Sequence, residues 1–336
     1  MFRLFYKPIN DEQMKKSPIP CLQRLNNEHV IFNQNFPNSI IIFNVKGNSI
    51  ISKLSLADSK ANCIQVVDEK NIVFSSGRML YSWNFSGKEA KAFRDDKYNN
   101  TTITCLTLMP NLYTTEGLRS IIVSGSGDSH PRLNIWNTNG SIGTTFLGKS
   151  IVEESIPFCL SEISADRLVS GSEDGKLRVY NLKPISKKSV TIEKVATIMG
   201  HSLNSSKSKN VSVTCLTKLS NNRLASASAD KTIRIWDLNS FNGEVKPLQV
   251  LEGHEGAINC LHLFQNSNYL VSGSEDGEIF IWKQENDGFQ LLNKFSKGKP
   301  ITAMEILEHI DQLTYRDDIS SVPYNMEMSN LLRLRP

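Results

Sequence analysis

No stretch of 18 or more apolar residues occurs in the 336-residue chain, so no membrane-spanning helix is expected. The first residues, Met1 to Pro8, hold no apolar core long enough for a secretory signal. A cytoplasmic protein is therefore expected, with the nucleus as the alternative compartment. Charge of one sign is scarce: 38 basic against 34 acidic residues leave a formal +4, too mild an excess to mark a nucleic-acid binder. The six cysteines include no C-x-x-C pair, which removes the commonest zinc and redox motifs. The six histidines, at 29, 130, 201, 254, 262 and 309, show no pair at ligand spacing, so no metal site is expected, and no cofactor. Nothing matches a G-x-x-x-x-G-K-[ST] phosphate loop.

What the chain does have is a period. Cys21, Cys63, Cys105, Cys159, Cys215 and Cys260 follow one another at 42, 42, 54, 56 and 45 residues. An aromatic follows each of them: Phe43, Trp83, Trp136, Tyr180, Trp236 and Trp282, at 22, 20, 31, 21, 21 and 22 residues. The third interval is long because an extra segment, Pro110 to Arg119, separates its first two strands. The cysteines share a local frame, as in Ile103-Thr104-Cys105-Leu106 and Val213-Thr214-Cys215-Leu216, and read as one position on an inner strand. Thiols held one per repeat are too far apart to pair, which fits a reducing compartment.

Three copies are nearly explicit. Tyr269 to Trp282 reads YLVSGSEDGEIFIW, Leu224 to Trp236 reads LASASADKTIRIW, and Leu168 to Tyr180 reads LVSGSEDGKLRVY. Short β-rich runs alternate with Asn, Asp and Gly turn signals. This pattern resembles the WD-repeat family, whose repeats of about 40–45 residues each supply one four-stranded propeller blade. The resemblance covers about residues 20 to 325 and is strong over 120–283. It implies an all-β fold: a seven-bladed β-propeller of four-stranded antiparallel blades, occupying residues 1–336 as a single domain. Ile301 to Leu307 matches the inner strand, with Leu313 starting the next and Tyr324 in the aromatic position, so a seventh, degenerate blade is expected. Its glycines and tryptophan are gone, and Pro323 interrupts it. The alternative is six blades with a C-terminal extension. Residues 2–9 are expected to supply the strand that closes the last blade, with Leu331 to Leu334 as the competing candidate.

His254, Ser272 and Asp276, and again His201, Ser226 and Asp230, are the residue types of a nucleophilic triad. A catalytic triad occurs once per site, whereas this set recurs by blade. The resemblance implies instead a structural network in which each set is completed by its tryptophan, Trp282 or Trp236. Blade four lacks the Gly-His pair and has Tyr180 for tryptophan. The glycines of SGSEDG read as the turn between the second and third strands.

The resemblance implies a non-catalytic scaffold or adaptor that binds protein or peptide partners on the face carrying the loops into the first strand and between the second and third. Candidate contacts there are Asp95, Asp96, Lys207, Lys209, Ser212, Glu255 and Lys299. A narrower alternative is the substrate receptor of a ubiquitin ligase. Against it, no F-box-like helical module precedes the ring and no Arg lies two residues beyond Trp236-Asp237. An alternative of another class is a propeller-based hydrolase or lyase. Oligomeric state and partner identity stay open.

Overall fold

Runs such as Asn71-Ile-Val-Phe74 or Tyr269-Leu-Val271 are apolar without alternation because both faces of the strand are covered. A computed structural model shows why. It describes residues 2–8, 21–308 and 324–327, excepting 27, 36–37, 45–46, 48, 57–60, 86, 88–89, 94–101, 115–116, 128–130, 138–149, 187–188, 202–209, 240, 242–244, 265–267, 297 and 299. Every helix or strand among these residues is a strand, and none is a helix able to cross a membrane.

The first strand, β1, is Phe2–Pro8. Six four-stranded antiparallel blades follow in chain order. Blade one holds Leu22–Arg24 (β2), His29–Asn35 (β3), Asn38–Asn44 (β4) and Ser49–Ser55 (β5); blade two holds Ala61–Val66 (β6), Asn71–Ser76 (β7), Met79–Asn84 (β8) and Lys91–Phe93 (β9). Blade three holds Ile103–Thr114 (β10), Gly117–Ser126 (β11), Arg132–Asn137 (β12) and Ile151–Val152 (β13). Blade four holds Pro157–Ser164 (β14), Arg167–Ser172 (β15), Leu177–Ser186 (β16) and Ser189–Ile198 (β17). Blade five holds Val213–Lys218 (β18), Arg223–Ser228 (β19), Ile233–Asp237 (β20) and Gln249–Leu251 (β21). Blade six holds Ile258–Phe264 (β22), Tyr269–Ser274 (β23), Glu278–Glu285 (β24) and Gly288–Ser296 (β25).

The inner strands β2, β6, β10, β14, β18 and β22 each lie against the next, and β22 lies against Ile301–Glu308 (β26), which in turn lies against β2. The ring therefore closes. The core is a series of wedges between neighbouring blades. Ala225, Ile233 and Ile235 of blade five pack on Leu261, Leu270 and Trp282 of blade six, while Ala303 of β26 packs on Leu22, Val30 and Phe32 of blade one. Each Leu, Ile, Val or Phe among them removed from water contributes roughly 1.5–3 kcal/mol.

One expectation is corrected here. Six four-stranded blades form, the count of the alternative, and a three-stranded sheet stands where a seventh was expected. In that sheet β1 lies between β26 and Tyr324–Glu327 (β27), with Phe2 opposite Glu308 and Tyr6 opposite both Met304 and Tyr324. The N-terminal strand thus pairs directly with the inner strand of this last sheet. Residues 313 and 331–334 lie outside the described residues. The extra segment of blade three lengthens the β10–β11 hairpin, with Leu112 opposite Arg119 and Thr114 opposite Gly117.

Candidate functional site

Five of the inner strands, β6, β10, β14, β18 and β22, skip one residue of the ladder. Pairing shifts between Ala61 and Cys63, Ile103 and Cys105, Pro157 and Cys159, Val213 and Cys215, and Ile258 and Cys260. A bulge leaves the skipped residue outside the ladder. That residue reaches the next blade. Asn62 Nδ2 donates to Ile103 O at 3.4 Å, Asn259 Nδ2 donates to Ile301 O at 3.0 Å, and the hydroxyls of Thr104 and Thr214 donate to Pro157 O and Ile258 O. Phe158 has no donor, and Cys159 Sγ takes its place, 3.4 Å from Val213 O. In the sequence these residues stand out only as neighbours of the cysteines.

Cys105, Cys159 and Cys260 face strand two of their own blade. A Cβ on Gly125, Gly171 or Gly273 would stand 2.5, 2.7 or 2.8 Å from the sulfur of Cys105, Cys159 or Cys260. The central glycine of Ser-Gly-Ser is therefore a strand residue that makes room for sulfur, which corrects its reading as a turn. The second glycine does sit in the turn: Gly175 and Gly277 have φ of +79° and +82°, where a side chain is strained. All six cysteines are thiols, none disulfide-bonded. Burial pushes the Cys63 thiol up to about 12.

One face is built by a repeated tie. In blades three to six the first N–H of the turn between strands two and three donates to the loop entering the inner strand: Gly127 to Thr102 O, Glu173 to Ile156 O, Ala229 to Ser212 O and Glu275 to Ala257 O, at 2.9–3.0 Å. Beneath it in blade five, His201 Nδ1 lies 2.9 Å from Asp230 Oδ2, and His201 Nε2 lies 2.8 Å from Ser226 Oγ. Trp236 Nε1 donates to the same hydroxyl at 2.8 Å. Thr232 Oγ1 donates to Asp230 Oδ1 at 2.7 Å and stands 3.2 Å from His201 Nδ1. Burial holds the His201 imidazole below its ordinary range despite Asp230, so the ring is neutral.

Blade six brings the same set together with different neighbours. His254 Nε2 lies 2.8 Å from Ser272 Oγ, and Trp282 Nε1 donates to that hydroxyl at 2.9 Å. His254 Nδ1 stands 3.4 Å from Asp276 Oδ2. Asp276 also accepts from the N–H groups of Glu255 at 2.8 Å, Gly256 at 3.1 Å and Glu278 at 2.8 Å. Burial opposes its ionisation, but the adjacent imidazole and these N–H groups hold the carboxyl well below the usual carboxylate range. Phe280 stacks on His254, with centroids 3.9 Å apart. The matching residue is Arg234 in blade five, 3.5 Å from Asp230, and Arg178 in blade four.

Blade four carries a replacement rather than a gap. Glu153 precedes Ser170, Asp174 and Tyr180 by 17, 21 and 27 residues, close to the 18, 22 and 28 that separate His254 from Ser272, Asp276 and Trp282. Glu153 is buried and accepts from the Tyr180 hydroxyl. Arg178, fully buried, donates to Asp174 at 2.7 Å and stands 3.7 Å from Glu153. Acid and phenol thus take the places of histidine and indole, and Arg178 stands where blade five has Arg234. That interval spacing was the signal the sequence reading missed.

Of the expected contact residues, Glu255 is exposed on the loop face. Ser212 is corrected to an interior position: it is buried, and its hydroxyl contacts Asn210 Oδ1 at 2.6 Å and Glu173 O at 3.3 Å, tying blade five to blade four. Asp95, Asp96, Lys207, Lys209 and Lys299 lie outside the described residues. Glu154, Glu173, Glu252 and Glu275 are exposed around the same loops.

A ring of four-stranded blades with the recurrent His–Ser–Asp–Trp cluster defines a WD-repeat β-propeller. The model of the WD domain, G-beta repeat, matches residues 192–237 and 245–283, so the chain carries WD repeats over blades five and six. It is similar to the ribosome biogenesis protein ytm1 of Botryotinia fuckeliana, 36% identical over 141 residues, 41% of this chain and 27% of that protein. It is similar to the protein of the same name in Aspergillus oryzae, 35% identical over 35% of this chain and 23% of that one. The E3 ubiquitin-protein ligase COP1 of Arabidopsis thaliana is 28% identical over 49% of this chain and 21% of its own length. The chain's match thus spans about a quarter of the length of these relatives.

Proposed function

We propose that the chain, 1–336, is one propeller domain acting as a non-catalytic scaffold, with the three-stranded sheet in the place of a seventh blade. The observation that carries this reading is the division of its polar residues. Those suited to chemistry, His201, Ser226 and Asp230, are buried and hydrogen-bonded within a blade. Among the described residues, the loop face of blades four to six exposes five carboxylates, Glu154, Glu173, Glu252, Glu255 and Glu275, beside exposed Asn210 and the half-exposed Lys176 and Lys231. Such a rim suits a protein or peptide partner with a basic segment, since complementary potentials steer encounter. Fold likeness alone does not name that partner. The thiols suit a reducing compartment, cytoplasm or nucleus.

The test is co-purification from native cells with Glu255→Lys/Glu275→Lys beside wild type. Loss of partners with unchanged melting temperature supports the rim. A second arm, Lys207→Glu/Lys209→Glu, tests the loop at 202–210; unaltered binding removes that loop from the contact surface. Likeness to ytm1 favours ribosome-assembly proteins among the captured partners. Likeness to COP1 favours the second reading, a substrate-receptor role, which requires ubiquitin-ligase subunits to be captured instead.

A further inference from the structure

Blade six differs from blade five at three points around one histidine. Where blade five has Thr232, whose hydroxyl stands by both His201 and Asp230, blade six has Glu278. Where blade five has Arg234 beside Asp230, blade six has Phe280. Where His201 Nδ1 is hydrogen-bonded at 2.9 Å, His254 Nδ1 is buried without a hydrogen-bond partner among the described residues. A hydroxyl and a cation have been exchanged for a carboxylate and an apolar ring.

The consequence is a pair of carboxylates and an imidazole nitrogen converging without a countercharge. One ligand atom each from His254, Asp276 and Glu278 lies within 4.8 Å of the others. Among the described residues, neither carboxylate has a Lys or Arg at ion-pair distance. His254 is 5% exposed, and its ring is pinned by Ser272 through Nε2 and by the face of Phe280, which leaves Nδ1 directed at the acids. A metal-bound histidine is held in this way, through the nitrogen that does not bind. The 3.4 Å from Nδ1 to Asp276 Oδ2 is long for a hydrogen bond and matches the edge of a tetrahedron whose centre lies about 2.1 Å from each ligand.

We infer that His254 Nδ1, Asp276 and Glu278 form a binding site for a divalent transition cation of the zinc class on the loop face of blade six. One imidazole and two carboxylates are a donor set for such an ion, and a fourth position is left for water. In the sequence one histidine with two acids shows none of the ligand spacing that marks a histidine pair.

The test uses the full untagged chain with zinc chloride as probe. Equilibrium dialysis of wild type after EDTA treatment should show one zinc equivalent per chain at micromolar zinc, and the melting temperature should rise with zinc. Glu278→Thr installs the residue blade five uses, so the metal-free protein should melt as wild type does while zinc uptake falls at least tenfold. Glu278→Gln is the isosteric second variant, and cobalt(II) absorption in place of zinc reports the ligand field directly. Equal uptake by wild type and both variants would place the metal elsewhere, and no uptake by wild type would end the proposal.

Discussion

Gly273 has no room for a methyl group. An added Cβ would meet Ile301 Cγ2 at 2.6 Å and Cys260 Sγ at 2.8 Å. Gly273→Ala is expected to cost about 1–3 kcal/mol, read as a lower urea midpoint. Blade five shows the same constraint solved otherwise: Ala227 lies opposite Cys215, which is half-buried where Cys260 is buried. Tyr180→Phe removes the phenol that donates to Glu153 and leaves a buried carboxylate oxygen without that donor. A loss of roughly 1–3 kcal/mol is expected in the same assay. The His201–Asp230 pair makes stability depend on pH. Burial lowers the folded-state pKa of His201 below its ordinary 6.5. Its stabilisation is therefore complete above pH 6.5 and is lost as pH falls through the lower folded value. Asp230, also lowered despite burial, adds loss only in more acidic solution. The urea midpoint of wild type should fall between pH 7.5 and 5, and His201→Asn should flatten that fall; an unchanged slope would remove the histidine from the account.

At the scale of the element, the bulged inner strand is the unit that joins one blade to the next. Thr214 donates to Ile258 O across the blade boundary and lies 3.1 Å from Ala227 O within its own blade. Thr214→Val keeps shape and removes the donor, so a loss of about 1 kcal/mol in urea melts is expected. Much of each blade was legible beforehand. Strand positions, the inner cysteine and the strand-three aromatic follow from short-range pattern, because alternation, turn chemistry and β-branching are local properties. The bulge was not legible, since one extra residue in a ladder changes no composition. Nor was the Glu153–Tyr180 replacement in blade four, because a search for histidine and tryptophan treats their absence as a gap. The identity of the Ser-Gly-Ser glycine as a strand residue depended on a sulfur thirteen residues away, in a different strand.

For the whole molecule the question is how the ring is held shut. β26 lies against β2, and β1 pairs with β26 from Phe2 through Pro8. The two ends of the sequence are thus stitched in one sheet, and the pairing spans nearly the full chain, a costly loop to close that holds every blade in place once formed. Deleting residues 1–8 strips β26 and β27 of their common partner. The deletion is expected to lower the melting temperature by several degrees and to expose a strand edge, seen as concentration-dependent light scattering. An unchanged melt would mean that the contact of β26 with β2 closes the ring alone.

By itself the sequence determined the repeat, its register and the blade architecture, because each blade writes the same local pattern and a closed ring is how such units bury their faces. Only the tertiary structure decided where the N-terminal strand lies, which glycines give way to sulfur, and which side chains bridge the blades. Those outcomes depend on distances between residues far apart in the chain, and no local period encodes them.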